Sequence, residues 1–201
     1  MSETNKLVAL IFQEASRVGV YDQRAEQGQG VAIAIAEPYL AKAALDEIEK
    51  KAKAAGVEIK DAVIAFKTDE GRVKIRQTKD MTTGKGARRG GFWGLVVGLI
   101  LGGPLFGVLA GLGLGAIAGR RIDHGLDDEF IRQVSRSLKP STSALLVLID
   151  AEHAERAIAY LKSFDAEMHV ADISKEAEEA IDEAAGDEAI SQAVEAEFNA
   201  E

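Results

Sequence analysis

The amino-acid sequence predicts an α+β fold: a ferredoxin-like βαββαβ sandwich with an extra αβ unit, interrupted by a glycine-zipper helical hairpin. Short β-branched runs alternate with amphipathic helical segments, and glycine recurs every fourth residue in an uncharged stretch at mid-chain. An interval of four places glycines on one ridge of a helix. We therefore divide the chain into an N-terminal extension (1–30), a split ferredoxin-like domain (31–83 plus 122–173), a glycine-zipper hairpin (84–121) and an acidic C-terminal helix and tail (174–201).

The predicted N-terminal extension contains one periodic segment. Its apolar residues recur at helical intervals, which predicts a short amphipathic helix over residues 5–20. A strand through residues 7–12 is the competing interpretation. The polar stretch YDQRAEQGQG then predicts a linker.

The split domain is predicted from elements on both sides of the hairpin. Before it, the order is strand, helix, strand, strand: VAIAIA (31–36), a helix from Pro38 to a stop at Gly56, DAVIAFKT (61–68) and RVKIRQT (72–78). After it, the order is helix, strand, helix, strand: IDHGLDDEFIRQVSRSLKP (122–140), SALLVLID (143–150), EHAERAIAYLKSF (152–164) and AEMHVADI (166–173). The first six elements make the βαββαβ pattern, and the last helix and strand extend it.

The C-terminal segment holds all of the net charge of −9. Residues 174–201 contain ten acidic residues and one lysine, whereas the preceding residues are balanced. Ser174 precedes Glu176 and Glu178, which predicts a capped helix that fades into an acidic tail. Such a tail disfavours nucleic acid or anionic lipid as a partner.

The composition predicts no enzyme. There is no cysteine, and the three histidines, His124, His153 and His169, share no ligand-like spacing, so neither a metal nor a cofactor is predicted. No phosphate-binding glycine motif follows a strand, and no catalytic residue is assigned. The acids at 127–129 form a cluster with Asp123 and His124. The cluster indicates the start of a helix, which favours acids, with a divalent-ion site as the alternative.

The segment from Gly86 to Arg121 predicts two helices rather than one. The two glycine rows meet at Gly102-Gly103-Pro104, which indicates a turn. In water, ten glycines inside helices would cost about 10 kcal/mol relative to alanine, whereas in a bilayer they let two helices approach closely. The predicted helix-packing and oligomerisation residues are Gly86, Gly90, Gly94, Gly98, Gly102, Gly103, Gly107, Gly111, Gly115 and Gly119.

Both ends of the hairpin are expected on one side of a membrane. A single span would separate the two halves of the domain, and positive residues flank both ends. We therefore expect the cytoplasmic face of the inner membrane, with a cytoplasmic location as the alternative. The predicted membrane-interface residues are Lys85, Arg88, Arg89, Phe92, Trp93, Arg120 and Arg121. The arms are short, about 15 and 22 Å of helix against a hydrocarbon core of about 30 Å.

The leading hypothesis is a non-enzymatic, membrane-associated protein that contacts lipid and assembles with copies of itself. One alternative is a soluble oligomeric module, ligand-sensing or assembly-forming, with the hairpin buried between subunits. Another is a pore-forming or membrane-remodelling assembly of hairpins. The acidic tail and the N-terminal extension are candidate sites for a protein partner.

Three stretches together, DAVIAFKTDEGRVKIRQ, GGFWGLVVGLI and GLDDEFIRQVSRSLKPSTSALLVLI, closely resemble the bacterial and archaeal domain-of-unknown-function family 1269. The resemblance covers residues 31–173. It implies a cytosolic α/β domain around a membrane hairpin, a stress-related role and no known catalytic residues. The chain departs from the family pattern in its longer N-terminal extension and in KPSTS (139–143), where a Pro-Gly turn is usual.

Overall fold

The structure is a computed structural model that describes residues 4–13, 39–55, 59–68, 73–77, 86–101, 127–140, 142–188 and 192 of the 201-residue chain. The strands of this part of the chain are β1 (Asn5–Gln13), β2 (Ile59–Lys67), β3 (Val73–Gln77), β4 (Thr142–Ile149) and β5 (Glu167–Ile173). The α-helices are α1 (Tyr39–Ala55), α2 (Gly86–Leu101), α3 (Asp128–Ser137), α4 (Ala154–Leu161) and α5 (Lys175–Ala185). A 3₁₀ turn, Ala151–His153, leads into α4.

The strands form one sheet in the order β3-β2-β4-β1-β5, and every neighbouring pair is antiparallel. Strand β4 pairs with β2 through Ile64↔Leu145 and with β1 through Leu10↔Leu145. The segments before and after the glycine-rich stretch therefore belong to one sheet, as predicted. Two units, β1-α1-β2 and β4-α4-β5, interleave in the central order β2-β4-β1-β5.

The prediction of a helix over residues 5–20 is wrong for Asn5–Gln13, which form strand β1. This strand lies inside the sheet, paired with β4 on one edge and β5 on the other. Residues 7 to 11 are almost completely buried because helices cover both faces of the sheet, and a strand buried on both faces shows no polar alternation. The competing strand interpretation is confirmed, and a partner has no free edge of β1 to bind. Residues 14–30 and the predicted strand at 31–36 lie outside the described residues.

Alternate side chains of the strands face two different helical layers. Val8 and Leu10 of β1 pack with α1 and α4, where Tyr160 donates a hydrogen bond to Glu47 Oε1 at 3.0 Å. Leu7 and Ala9 face the other way, toward a cluster that contains residues of α2, α3 and α5. The described part of the chain is therefore a three-layer arrangement, and the glycine-spaced helix α2 lies in one of its outer layers.

Two helix starts follow the local chemistry predicted for them. Asp127 accepts a hydrogen bond from Glu129 N at 3.0 Å and caps α3. Ser174 accepts one from Ala177 N at 3.1 Å and caps α5. Each cap satisfies one of the backbone donors that a helix start leaves unpaired. The acids at 127–129 thus have a structural role at the beginning of a helix.

Candidate functional site on the glycine-spaced helix

The first helix predicted in the glycine-rich segment is confirmed as α2, Gly86–Leu101. Its glycines Gly86, Gly90, Gly94 and Gly98 lie at intervals of four along this helix. The second predicted helix lies outside the described residues. So do these predicted site residues: Lys85, Gly102, Gly103, Gly107, Gly111, Gly115, Gly119, Arg120 and Arg121.

Helix α2 is buried on all sides through its middle. Every residue from Phe92 to Gly98 is buried, and so is Ile100. Seven consecutive residues make almost two helical turns, so no face of this part meets solvent. A helix of this kind belongs to a core rather than to a surface. The central glycines Gly94 and Gly98 are therefore covered by this chain itself.

The neighbours of α2 are the sheet, α3 and α5. Apolar residues of α2 join one cluster with side chains of the sheet, such as Leu146, and of α3, such as Phe130. The sixteen residues of α2 extend about 24 Å. Among the helices that the structure describes, none has both the length and the apolarity that crossing a membrane requires.

The aromatic pair of α2 lies inside the protein. Phe92 and Trp93 are 3% and 2% exposed, and their rings meet edge to face with centroids 5.3 Å apart. The sequence predicts both at a membrane boundary, whereas in this structure both belong to the interior cluster. The indole Nε1 of Trp93 is buried and has no hydrogen-bond acceptor. Arg88 and Arg89 lie in the first turn and a half of α2.

Helix α5 covers one flank of α2 with small side chains. The residues that it buries are Ala177, Ala180, Ile181, Ala184 and Ala185. Its opposite side carries acids that remain exposed, among them Glu176, Glu179 and Glu183. The helix predicted after Ser174 is thus confirmed, and as far as Ala185 it is part of the core.

A group of polar side chains fixes the first turn of α5 to the end of the sheet. Lys60 Nζ of β2 lies 3.0 and 3.2 Å from the two carboxylate oxygens of Glu178. Asn5 Nδ2 of β1 donates to Glu178 Oε2 at 2.6 Å, and its Oδ1 accepts a hydrogen bond from Ala151 N at 3.3 Å. Asp150, just after β4, lies 3.4 Å from Lys60. We call Asn5, Lys60, Asp150 and Glu178 the α5 latch.

The charges around Lys60 favour its ammonium form. Burial lowers the pKa of Lys60, but the hydrogen bond and charge of Glu178, together with Asp150, outweigh burial, so this pKa is raised above its ordinary value. The Lys60 and Glu178 side chains are 27% and 17% exposed. A pair this sheltered is screened less by salt than a surface ion pair.

Replacing Lys60 by methionine is expected to lower the free energy of unfolding by about 1 kcal/mol at neutral pH. Because the pKa of Lys60 is raised in the folded chain, the stabilisation by its charge is complete below the ordinary lysine pKa and falls as pH rises above it. Urea unfolding between pH 7 and pH 11.5 should therefore show the difference between wild type and variant shrinking above about pH 10.5. Lys50→Met, on the exposed side of α1, is the matched control, and an equal loss in both variants would contradict the role of the latch.

The latch was not predicted from the sequence. Asn5 and Lys60 each adjoin the apolar part of a strand, and Glu178 is one of many acids in its segment. The available signal was a polar residue at the beginning of a buried strand, which in a folded sheet needs a partner. The identity of that partner depends on the strand order.

A second polar group joins α3 to β5. His169 Nδ1 lies 3.0 Å from Gln133 Oε1, and Gln133 Nε2 donates to Glu129 Oε1 at 3.0 Å. His169 Nε2 lies 2.9 Å from Glu167 Oε1, within ion-pair distance but without hydrogen-bond geometry. The hydrogen bond from Arg132 to Glu129, at 2.6 Å, lowers the pKa of that carboxyl. These contacts give His169 a structural role between α3 and β5. Across the described residues, no three metal-ligating side chains converge.

One comparison with known proteins gives a match. Residues 87–186 are similar to the family model described as "Protein of unknown function (DUF1269)". This span runs from the first turn of α2 to the residue after α5, so it contains α2, its cover α5, and strands β4 and β5. No curated protein and no solved structure matches the sequence.

Proposed function

The chain belongs to the DUF1269 family, and from that premise we propose that it is a non-enzymatic, membrane-associated protein. In this proposal the α/β domain remains on the cytoplasmic face of the inner membrane. The segment between α2 and α3 contacts the lipid. The family description names no activity, so support for the proposal comes from the geometry of α2 and α3.

We assign the domain a ferredoxin-like core built from β1-α1-β2 and β4-α4-β5. The support is the order β2-β4-β1-β5, with both connecting helices packed in the same cluster. Strand β3 is then an added edge strand, and α2, α3 and α5 an added layer on the other face. The predicted core began instead at residues 31–36.

The observation that carries the membrane proposal is that the chain leaves α2 and enters α3 on the same face of the sheet. Ile100, near the end of α2, and Phe130, near the start of α3, belong to one buried cluster. The connecting residues therefore depart and return on one side of the domain. A single crossing of a bilayer would separate those two ends.

Because α2 is buried in the core, the lipid contact in this proposal is made by the residues that follow it. The uncharged run extends from Phe92 to Gly119. Its first part lies in α2 and is buried in the core. The remainder, residues 102–119, is followed by Arg120 and Arg121. Two crossings need about 40 residues in total, so we propose that this segment enters one leaflet without spanning, with the arginines at the headgroups.

Wild-type protein is expected to float with vesicles that contain anionic lipid, and Leu112→Glu is expected to reduce the bound fraction more than tenfold. The physical reason is that a carboxylate in apolar lipid costs several kcal/mol. The measurement is a sucrose-gradient flotation of the full chain. Val170→Glu is the matched control, because Val170 is 39% exposed on β5 and a charge there meets water. Wild-type protein that is folded but stays at the bottom of the gradient would overturn the proposal.

The second candidate is a soluble assembly in which the segment after α2 packs between copies of the chain. The observation that favours it is the burial of Gly94 and Gly98 inside this protein, since glycine rows serve close helix packing in either solvent. Carbonate extraction followed by crosslinking separates the two. Release of crosslinked oligomers into the soluble fraction supports assembly, and retention in the pellet supports membrane association. Dye leakage from vesicles would instead favour the pore-forming hypothesis.

A further inference from the structure

His169 of β5 lies beside α3, and both of its ring nitrogens face oxygen atoms. Nδ1 is 3.0 Å from Gln133 Oε1, and Nε2 is 2.9 Å from Glu167 Oε1. The side chain of His169 is 12% exposed, and Nε2 itself is buried. Bulk water is therefore not a partner for Nε2, and the contact between α3 and β5 depends on which ring nitrogens carry a hydrogen.

The orientation of the Gln133 amide determines which atom donates to the other. Gln133 Nε2 donates a hydrogen bond to Glu129 Oε1 at 3.0 Å, so the amide oxygen is directed at His169. Glu129 remains an acceptor, because hydrogen bonds from Arg132 and Gln133 lower the pKa of its carboxyl. An amide oxygen accepts hydrogen bonds and cannot donate one. Nδ1 of His169 is therefore the nitrogen that carries a hydrogen when the ring is neutral.

The contact of the second ring nitrogen depends on the charge of the ring. In a neutral ring Nε2 has a lone pair, and this lone pair lies 2.9 Å from Glu167 Oε1, so two acceptors face each other. Ser137 of α3 donates to the same oxygen at 2.8 Å and keeps it beside the ring. In an imidazolium ring both nitrogens donate. A small rotation of the Glu167 carboxylate, whose side chain is 53% exposed, then makes a charge-assisted hydrogen bond.

The other groups around the ring do not replace Glu167. The residues of β1 nearest to His169 are apolar and belong to the buried cluster. On α3, the carboxylate of Glu129 favours an imidazolium, whereas the guanidiniums of Arg132 and Arg136 oppose it. Burial of the ring opposes it as well. Glu167 is the one charged group in direct contact with the ring among the residues that the structure describes.

We propose a proton-sensitive joint between α3 and β5, formed by Glu129, Gln133, Glu167 and His169. The joint is closed when His169 is an imidazolium that donates to Gln133 and Glu167, and it is weaker when the ring is neutral. Helix α3 receives the chain from the segment that follows α2, and β5 leads directly into α5. Protonation of one side chain thus tightens the contact that holds the returning chain on the sheet. The joint belongs to the folded domain, so it does not depend on lipid binding.

The first test compares wild type with Glu167→Gln by urea unfolding of the full chain from pH 5 to pH 8, the range in which histidine side chains change charge. An amide at position 167 can donate to a neutral ring, so the variant makes the contact without the proton. In wild type, the bound proton stabilises the folded state at the acidic end, and this stabilisation is lost as pH rises. At a fixed urea concentration, the ratio of unfolded to folded chain is expected to rise about fivefold more in wild type, the upper value for an exposed ion pair.

His153→Gln is the matched control, because His153 lies in the 3₁₀ turn that leads into α4 and its loss leaves the joint intact. This variant should keep the difference from Glu167→Gln that wild type shows. The same pH dependence in wild type and in Glu167→Gln would overturn the joint. So would a His153→Gln variant that behaves like Glu167→Gln.

Nitrogen-15 spectra of the histidine rings give a second readout on the wild-type chain, which does not require a variant to fold. A ring nitrogen with a hydrogen differs in chemical shift from one without, and the signals of His169 are those absent from His169→Gln. In the neutral ring, Nδ1 is expected to carry the hydrogen, and acidification is expected to add one to Nε2. A neutral ring with the hydrogen on Nε2 would overturn the hydrogen bond to Gln133 and, with it, the joint.

Discussion

Replacing Trp93 by alanine is expected to lower the free energy of unfolding by about 3–5 kcal/mol. Trp93 is 2% exposed and meets Phe92 edge to face, so truncation leaves a cavity between α2 and its neighbours. The loss is a large part of the 5–15 kcal/mol that a domain of this size typically has. The measurement is urea unfolding followed by far-UV circular dichroism, because the variant has no tryptophan to report fluorescence.

Two further variants separate the packing of Trp93 from its unpaired N–H. Trp93→Phe keeps an aromatic ring and removes the donor that has no acceptor, so we expect a loss below about 1.5 kcal/mol. Val170→Ala, at an exposed position on β5, should change stability by no more than about 0.5 kcal/mol. If Trp93→Ala were as mild as Val170→Ala, α2 would not be part of the core in solution.

Strand β1 shows where a sequence prediction and a fold diverge. The segment NKLVALIFQ has apolar residues on every side, so the helical interval and the strand are both compatible with it. It is a strand because β4 and β5 supply hydrogen-bonding partners on its two edges. Those partners lie more than 120 residues further along the chain, and no local pattern identifies them.

The sequence predicts that the glycine-spaced segment is helical, but it does not predict what surrounds the helix. An interval of four places the glycines on one ridge of a helix, and α2 confirms the helix over Gly86–Leu101. Whether the glycine ridge contacts lipid, another copy of the chain or its own domain depends on which other segments of the chain pack beside it. In this structure the alanines of α5 are among the residues that pack beside α2. Hydropathy does not distinguish α5 from an exposed helix, because alanine is only weakly apolar and acids surround it in the sequence.

Introducing a side chain at Gly98 is expected to destabilise the protein even though it improves helix propensity. Leucine at this position should lower the free energy of unfolding by about 1–3 kcal/mol, because Gly98 is buried and its neighbours must move to admit four carbon atoms. Urea unfolding of the full chain measures the loss. Trp93 fluorescence should shift toward longer wavelength, since Trp93 lies in the same helix.

Whether alanine at position 98 raises or lowers the free energy of unfolding shows why glycine occupies this position. In a helix that makes no close contact, Gly→Ala stabilises by about 0.8–1 kcal/mol. Gly186, exposed at the end of α5 with φ −79° and ψ −11°, has a backbone that alanine adopts without strain, so Gly186→Ala should stabilise by about 0.4–1 kcal/mol. Gly98→Ala should instead destabilise, because its methyl group enters a contact that has no room for it. If both substitutions stabilise the chain equally, Gly98 makes no close contact, and the glycine interval in α2 does not serve helix packing within this domain.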